Sequence, residues 1–125
     1  MIAVIFEVEL ADGKSDQYLA LAADLRSELE RVEGFLSIER FQSLTQPGKM
    51  LSLSFFRDEA AVMRWRNTQM HRMAQRLGRT TLFSHYRLRV AEVARDYGMI
   101  ERDQAPSDTL FPADGGALER KARPS

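Results

Sequence analysis

The residues able to do chemistry in this chain concentrate in one stretch. Between positions 64 and 79 lie the single tryptophan, Trp65, one of the two histidines, His71, and the polar or polarisable side chains Asn67, Met70 and Gln75. His85, Tyr86, Arg87 and Arg89 follow closely. An unperturbed imidazole titrates near neutral pH, so His71, and after it His85, are the candidate proton acceptors. Arg87 could stabilise an oxyanion formed on a substrate. Trp65, Asn67, Met70, Gln75 and Arg89 are the groups expected to hold that substrate, with the indole as an apolar wall.

A plainer account of the same residues is also open. Trp65 could anchor a helix to the core, and His71 could make a surface hydrogen bond. Met63, Met70 and Met73 could fill the core. Arg87 and Arg89 could pair with Glu7 and Glu9 across neighbouring strands. Six positions separate Trp65 from His71, which sets them on different sides of a continuous helix. The Asn67-Thr68 pair is expected to interrupt the helix and turn both side chains toward one cavity.

Other chemistries are disfavoured. The chain has no cysteine, which removes disulfides, thiolate metal sites and cysteine nucleophiles, and fits a reducing compartment. No glycine-rich phosphate loop, Gly-x-Ser-x-Gly motif or metal-spaced histidine set occurs in the sequence. The net charge is zero, although residues 64–95 carry eight basic and one acidic side chain. That balance argues against nucleic acid as a partner and leaves the basic segment to an anionic small molecule or to the acidic first half. The longest apolar run, Met1 to Phe6, is far too short to span a bilayer. A cytoplasmic protein without membrane attachment is expected.

The elements that must position these residues can be read from periodicity. Met1 to Leu10 alternates as a half-buried strand. Ser15 is placed to cap a helix reaching about Val32, with Tyr18, Ala22, Leu25, Leu29 and Val32 as its apolar stripe and Gly34 as its stop. Phe35 to Leu44 and Met50 to Arg57 flank Pro47-Gly48 as a hairpin. Asp58 caps a second helix, which resumes from Gln69 to Leu77 and closes at Gly78. Thr81 to about Arg95 alternates again.

The order βαββαβ predicts a ferredoxin-like α+β domain, an antiparallel sheet with both helices on one face, over residues 1–98. Residues 99–125 form an arm or tail. One sheet face is left without helices. Because Leu51, Leu53 and Phe55 oppose Ser52, Ser54 and Phe56, neither face is wholly polar, and a homodimer packed sheet on sheet is expected.

With Trp65, His71, the stretch from Gln75 to Arg79 ending in Gly-Arg, and the strand Tyr86-Arg87-Leu88-Arg89-Val90 in this order, residues 1–98 resemble the antibiotic biosynthesis monooxygenase family of dimeric α+β barrels. The resemblance implies an oxidoreductase, a monooxygenase acting without a cofactor on an aromatic or quinone-like small molecule. The haem-degrading branch of the family offers an alternative. That branch uses an Asn in the first strand, which this chain lacks, and a His about ten residues after the Trp, where Gln75 stands, so His71 would have to bind the haem. In the quinone-forming branch a Tyr stands where this chain has His71, and an Asn where it has Ala61. A third reading keeps the fold as a non-catalytic dimer that binds a small ligand.

Overall fold

A computed structural model describes residues 1–77 and 82–107, with 69–77 described by their backbone alone. Six elements follow one another: β1 (Ile2–Leu10), α1 (Ser15–Leu29), β2 (Phe35–Gln42), β3 (Lys49–Phe56), α2 (Glu59–Leu77) and β4 (Phe83–Glu92). The strands form a sheet in the order β2-β3-β1-β4, and every neighbouring pair is antiparallel. This is the ferredoxin-like arrangement that the element order predicts. The elements all lie in one compact unit, Met1–Val93; the described residues 94–107 belong to a second unit. Within the second unit, the Asp96 backbone N–H donates to Gln104 Oε1 at 2.6 Å and Arg102 lies 5.6 Å from the Tyr97 ring centroid.

Register decides which residues meet. Val4 lies opposite Ser54, which lies opposite Ile38, and the next row joins Phe6, Ser52 and Arg40. Side chains alternate along a strand, so these rows share a face with Ile2 and Phe56. The two helices cover that face. Ile2, Val4, Ile38 and Phe56 from the sheet pack with Leu29 of α1 and Ala61, Val62 and Trp65 of α2 into one buried cluster.

The helices differ from the sequence expectation in three ways. Ser15 is the first helical residue rather than the cap: Lys14 occupies the cap position, and no side chain bonds the free N–H groups there. α1 ends at Leu29 rather than Val32. Its chain tightens through bonds from Arg31 N–H to the Glu28 carbonyl and from Val32 N–H to the Leu29 carbonyl, and Gly34 then turns with φ of 92°. α2 is unbroken from Glu59 to Leu77. Thr68 does not cap a new helix. Its hydroxyl donates to the Arg64 carbonyl one turn earlier, which satisfies it inside the helix. Gly78, expected to end this helix, lies outside the described residues.

The start of α2 is latched to the loop before β2. Asp58 Oδ1 accepts the Ala61 N–H at 2.9 Å, and Oδ2 accepts Arg57 Nε at 3.2 Å. Arg57 N–H donates to the Gly34 carbonyl at 2.7 Å, and Arg64 Nη1 donates to the Glu33 carbonyl at 2.9 Å. A Cβ at residue 34 would stand 2.7 Å from the Ala61 Cβ. Gly34 is therefore required twice, for its left-handed backbone and for the closeness of α2.

Gly34→Ala is expected to destabilise the fold by about 2 kcal/mol or more, through backbone strain plus overpacking. Gly13 also has positive φ but has open space around its Cα, so Gly13→Ala is expected to cost clearly less. Denaturant midpoints of the two variants check the order. The Ala61 N–H, and after it Arg57, hold the Asp58 carboxyl below the usual aspartate range. A carboxyl depressed in the folded state contributes stability above its unfolded pKa, and that contribution is lost as pH falls through the folded value. Asp58→Ala should thus lower the thermal midpoint at neutral pH, and the gap from the parent should narrow in acid.

Candidate functional site

The cleft between helices and sheet is built by all three layers. α2 leaves Asp58, passes Gly34 at Ala61, and one turn later brings Trp65 over the sheet. The indole lies 5.7 Å from the Phe56 ring centroid with the planes at 43°. Opposite it, α1 presents Tyr18, Leu21, Ala22 and Leu25 at spacings of one helical turn. The floor is the two rows of sheet residues, Val4-Ser54-Ile38 and Phe6-Ser52-Arg40. At one end Phe83 makes edge contacts with Phe6 and Tyr18, each at 5.8 Å between centroids.

The walls are apolar, but the floor is not. Ser52 and Ser54 are 7% and 2% exposed, at the centre of the face that the helices cover. Arg40 Nε is buried and has no hydrogen-bond partner among the described residues. Arg26 stands at the rim, 3.6 Å from Glu30 and well exposed. The cleft's cavity volume is about 30 Å³, far below the roughly 150 Å³ that accommodates one benzene ring. A ring-sized ligand must therefore displace side chains to enter.

The expected site residues separate. Trp65 lines the cleft and also belongs to the core, at 9% exposure, so the anchor and wall readings both apply to it. Asn67 is exposed on α2 and does not line this cleft. Met70, His71 and Gln75 fall within α2, but their side chains lie outside the described residues. The unbroken helix turns about 100° per residue, so no break brings position 71 round to the side of Trp65.

His85, Arg87 and Arg89 gather instead on the other face of the sheet. They line a hollow of about 200 Å³ with Glu7, Val8, Glu9 and Lys49. Alternation requires this placement: Arg87 lies opposite Glu7 and His85 opposite Glu9, on the strand positions that point away from Val4 and Phe6. Arg89 Nη1 bonds Glu7 Oε2 at 2.8 Å, and Lys49 Nζ approaches Glu7 Oε1 at 3.5 Å. The expected pairing of Arg89 is thus present, as a diagonal to Glu7. These pairs are largely solvated and supply little stability.

Sequence reasoning missed Arg40, Ser52, Ser54 and Tyr18. The missed signal was in β3, where serines alternate with Leu51 and Leu53. That alternation marks two unlike faces but does not say which of them the helices cover. Only the register shows that the serines point at the helices. Among the described residues no cluster of three His, Asp or Glu could hold a metal ion. No described helix is long and apolar enough to cross a membrane.

Comparison with known proteins places this geometry. Over 93 residues the chain is 47% identical to a protein of Pyricularia oryzae named jasmonate monooxygenase ABM. The match covers 74% of this chain but only 43% of that relative, so the chain spans less than half of the relative's length. Among solved structures, the fold is similar to Rv0793 from Mycobacterium tuberculosis, with a TM-score of 0.66 at 17% identity over 78% of this chain and 98% of the other. It is also similar to a variant of MhuD with two manganese protoporphyrin IX molecules bound per active site, with a TM-score of 0.64 at 16% identity over 78% and 99% of the two chains. Residues 1–77 match the antibiotic biosynthesis monooxygenase family, and with more than half of its length matched, the chain belongs to that family.

Proposed function

We propose that this chain is a monooxygenase that binds a small ring-containing molecule, aromatic or quinone-like, in the cleft between α1, α2 and the sheet, and oxidises it without a bound cofactor. The observation that carries the reading is the cleft itself: apolar walls, Trp65 as one of them, over a floor with interior hydroxyls. Ligand sites of this kind are mostly apolar with a few placed polar groups. The name of the fungal relative, a jasmonate monooxygenase, supports oxygen insertion into a small cyclic molecule and adds jasmonate to the candidates.

The chemistry asks little of the protein. A substrate with an acidic C–H beside a phenol or carbonyl loses a proton, and the resulting enolate or phenolate donates electrons to dioxygen. Conversion of a ring methylene to a ketone balances with one dioxygen consumed and one water released, with no external reductant. The chain must exclude water, hold the ring and accept a proton. Position 71, on an unbroken α2, does not share the side of Trp65, so His71 is not placed to be that acceptor. Nor are His85 and Arg87, because they lie on the other sheet face.

The described residues do not fit haem. None of those lining the cleft is a histidine that could ligate the iron.

We also propose that the chain acts as a homodimer. Leu51, Leu53 and Phe55 lie only half-buried on the helix-free face, and on the other side of the sheet the edge strand β4 carries Tyr86, Leu88 and Val90, opposite Val8, Phe6 and Val4, at 55%, 47% and 47% exposure. The exposed apolar residues of the helix-free face call for a cover, and so, separately, does the apolar strip on the edge strand.

Oxygen uptake with anthrone, a hydroxynaphthalene or jasmonate tests the activity. Uptake is expected without added haem, flavin or nicotinamide, and the emission of the single tryptophan should change on binding. Because position 71 does not share the Trp65 side of α2 and His85 lies on the other sheet face, His71→Ala and His85→Ala should each leave turnover within about twofold. Uptake that depends on added haem or reductant would contradict the reading, as would emission that none of these ligands alters. Light scattering at micromolar concentration should give twice the chain mass, and Leu53→Glu should shift it toward the monomer. A monomeric parent would overturn the dimer.

A further inference from the structure

The floor of the cleft carries a second consequence, which rests on the proposed use of the cleft as a substrate site. β3 is an interior strand, flanked by β2 and β1, and its helix-covered face would ordinarily be apolar. It carries Ser52 and Ser54 there instead, nearly enclosed. Beside Ser52, in the same cross-strand row, stands Arg40. A guanidinium carries a fixed positive charge. The Nε donor is buried, and no described residue accepts from it. Among the described residues, no acidic side chain lines the cleft to neutralise this charge.

A buried donor without an acceptor destabilises a fold, so its presence needs a compensating role. An apolar body with one anionic end would supply it. Leu21, Leu25 and Trp65 would enclose the body, and the planar fork of Arg40 matches the two oxygens of a carboxylate. The Ser52 hydroxyl, directly across the β2-β3 ladder, is a further donor. We infer that the cleft takes a substrate bearing a carboxylate, and that Arg40 with Ser52 forms its carboxylate subsite.

Arg26 also lines the cleft, but its guanidinium is at the rim beside Glu30 and exposed. It can attract an anion electrostatically, whereas Arg40 is only partly exposed and its Nε is buried against the floor. The hollow at Glu7 is a poorer choice for an anion. There a carboxylate of the protein itself already takes Arg89 and Lys49.

Binding of two acids, phenylacetate and cyclohexylacetate, and of their uncharged methyl esters separates the outcomes. Calorimetry and the emission of Trp65 are the two readouts. Each acid is expected to bind the parent protein at least tenfold more tightly than its ester. Arg40→Gln should weaken the acids at least tenfold and change the esters less than threefold, and Arg40→Lys should recover part of the loss. Ser52→Ala, a smaller change that keeps the fold, should weaken the acids several-fold. Arg40→Met should keep or raise the thermal midpoint, because it removes an unpaired buried donor.

Acid and ester binding equally well would overturn the carboxylate subsite while leaving the cleft as the binding site. Equal weakening of both by Arg40→Gln would do the same. Binding of neither acid nor ester, or binding that leaves Trp65 emission unchanged, would overturn the cleft reading itself and this inference with it.

Discussion

α2 can lie as close to the sheet as it does only because residue 34 has no side chain. A Cβ there would collide with Ala61, and Ala61 is fully buried in the cluster that joins α2 to the sheet. Everything further along the helix depends on that closeness. Trp65 lies one turn beyond Ala61, and its contact with Phe56 sets one wall of the cleft. The same loop is tied by its carbonyls, with Gly34 accepting from Arg57 and Glu33 from Arg64. A short-range backbone constraint thus fixes the placement of the indole.

The second constraint is the unusual division of polarity across β3. Its serines face inward and its leucines face outward, the reverse of a strand whose uncovered face meets water. The interior thereby gains hydroxyls and the arginine of the neighbouring strand, at a cost in core packing. The exterior gains an apolar surface, at a cost in solubility for a lone chain. A cleft that binds a partly polar molecule and an outer face that meets a second copy would account for both costs.

Most of the fold was legible in the sequence because it depends on local patterns. The alternation of Ile2, Val4, Phe6 and Val8, the turn at Pro47-Gly48 and the cap at Asp58 each announce an element within a few residues, and their order implies the strand arrangement. The errors fall where a local pattern has two outcomes. Asn67-Thr68 can begin a helix or continue one, and the bond from the Thr68 hydroxyl to the Arg64 carbonyl chose continuation. Ser15 can cap a helix or begin it.

The site was less legible. Trp65 was conspicuous as the only residue of its type, but His85, Arg87 and Arg89 were grouped near it by sequence distance. Strand alternation sends them through the sheet to the other side. Arg40 was invisible for the opposite reason, since an arginine in a hairpin strand is ordinarily solvated. Its importance comes from the register that sets it beside Ser52 beneath two helices.

A crystal structure of the chain with a bound ring carboxylate would test the central claim most directly, that the substrate site is the cleft beneath Trp65. The account predicts electron density for the ring against the indole, with the carboxylate at Arg40 and Ser52. Density among His85, Arg87 and Arg89 on the opposite face, with the cleft still closed, would contradict it.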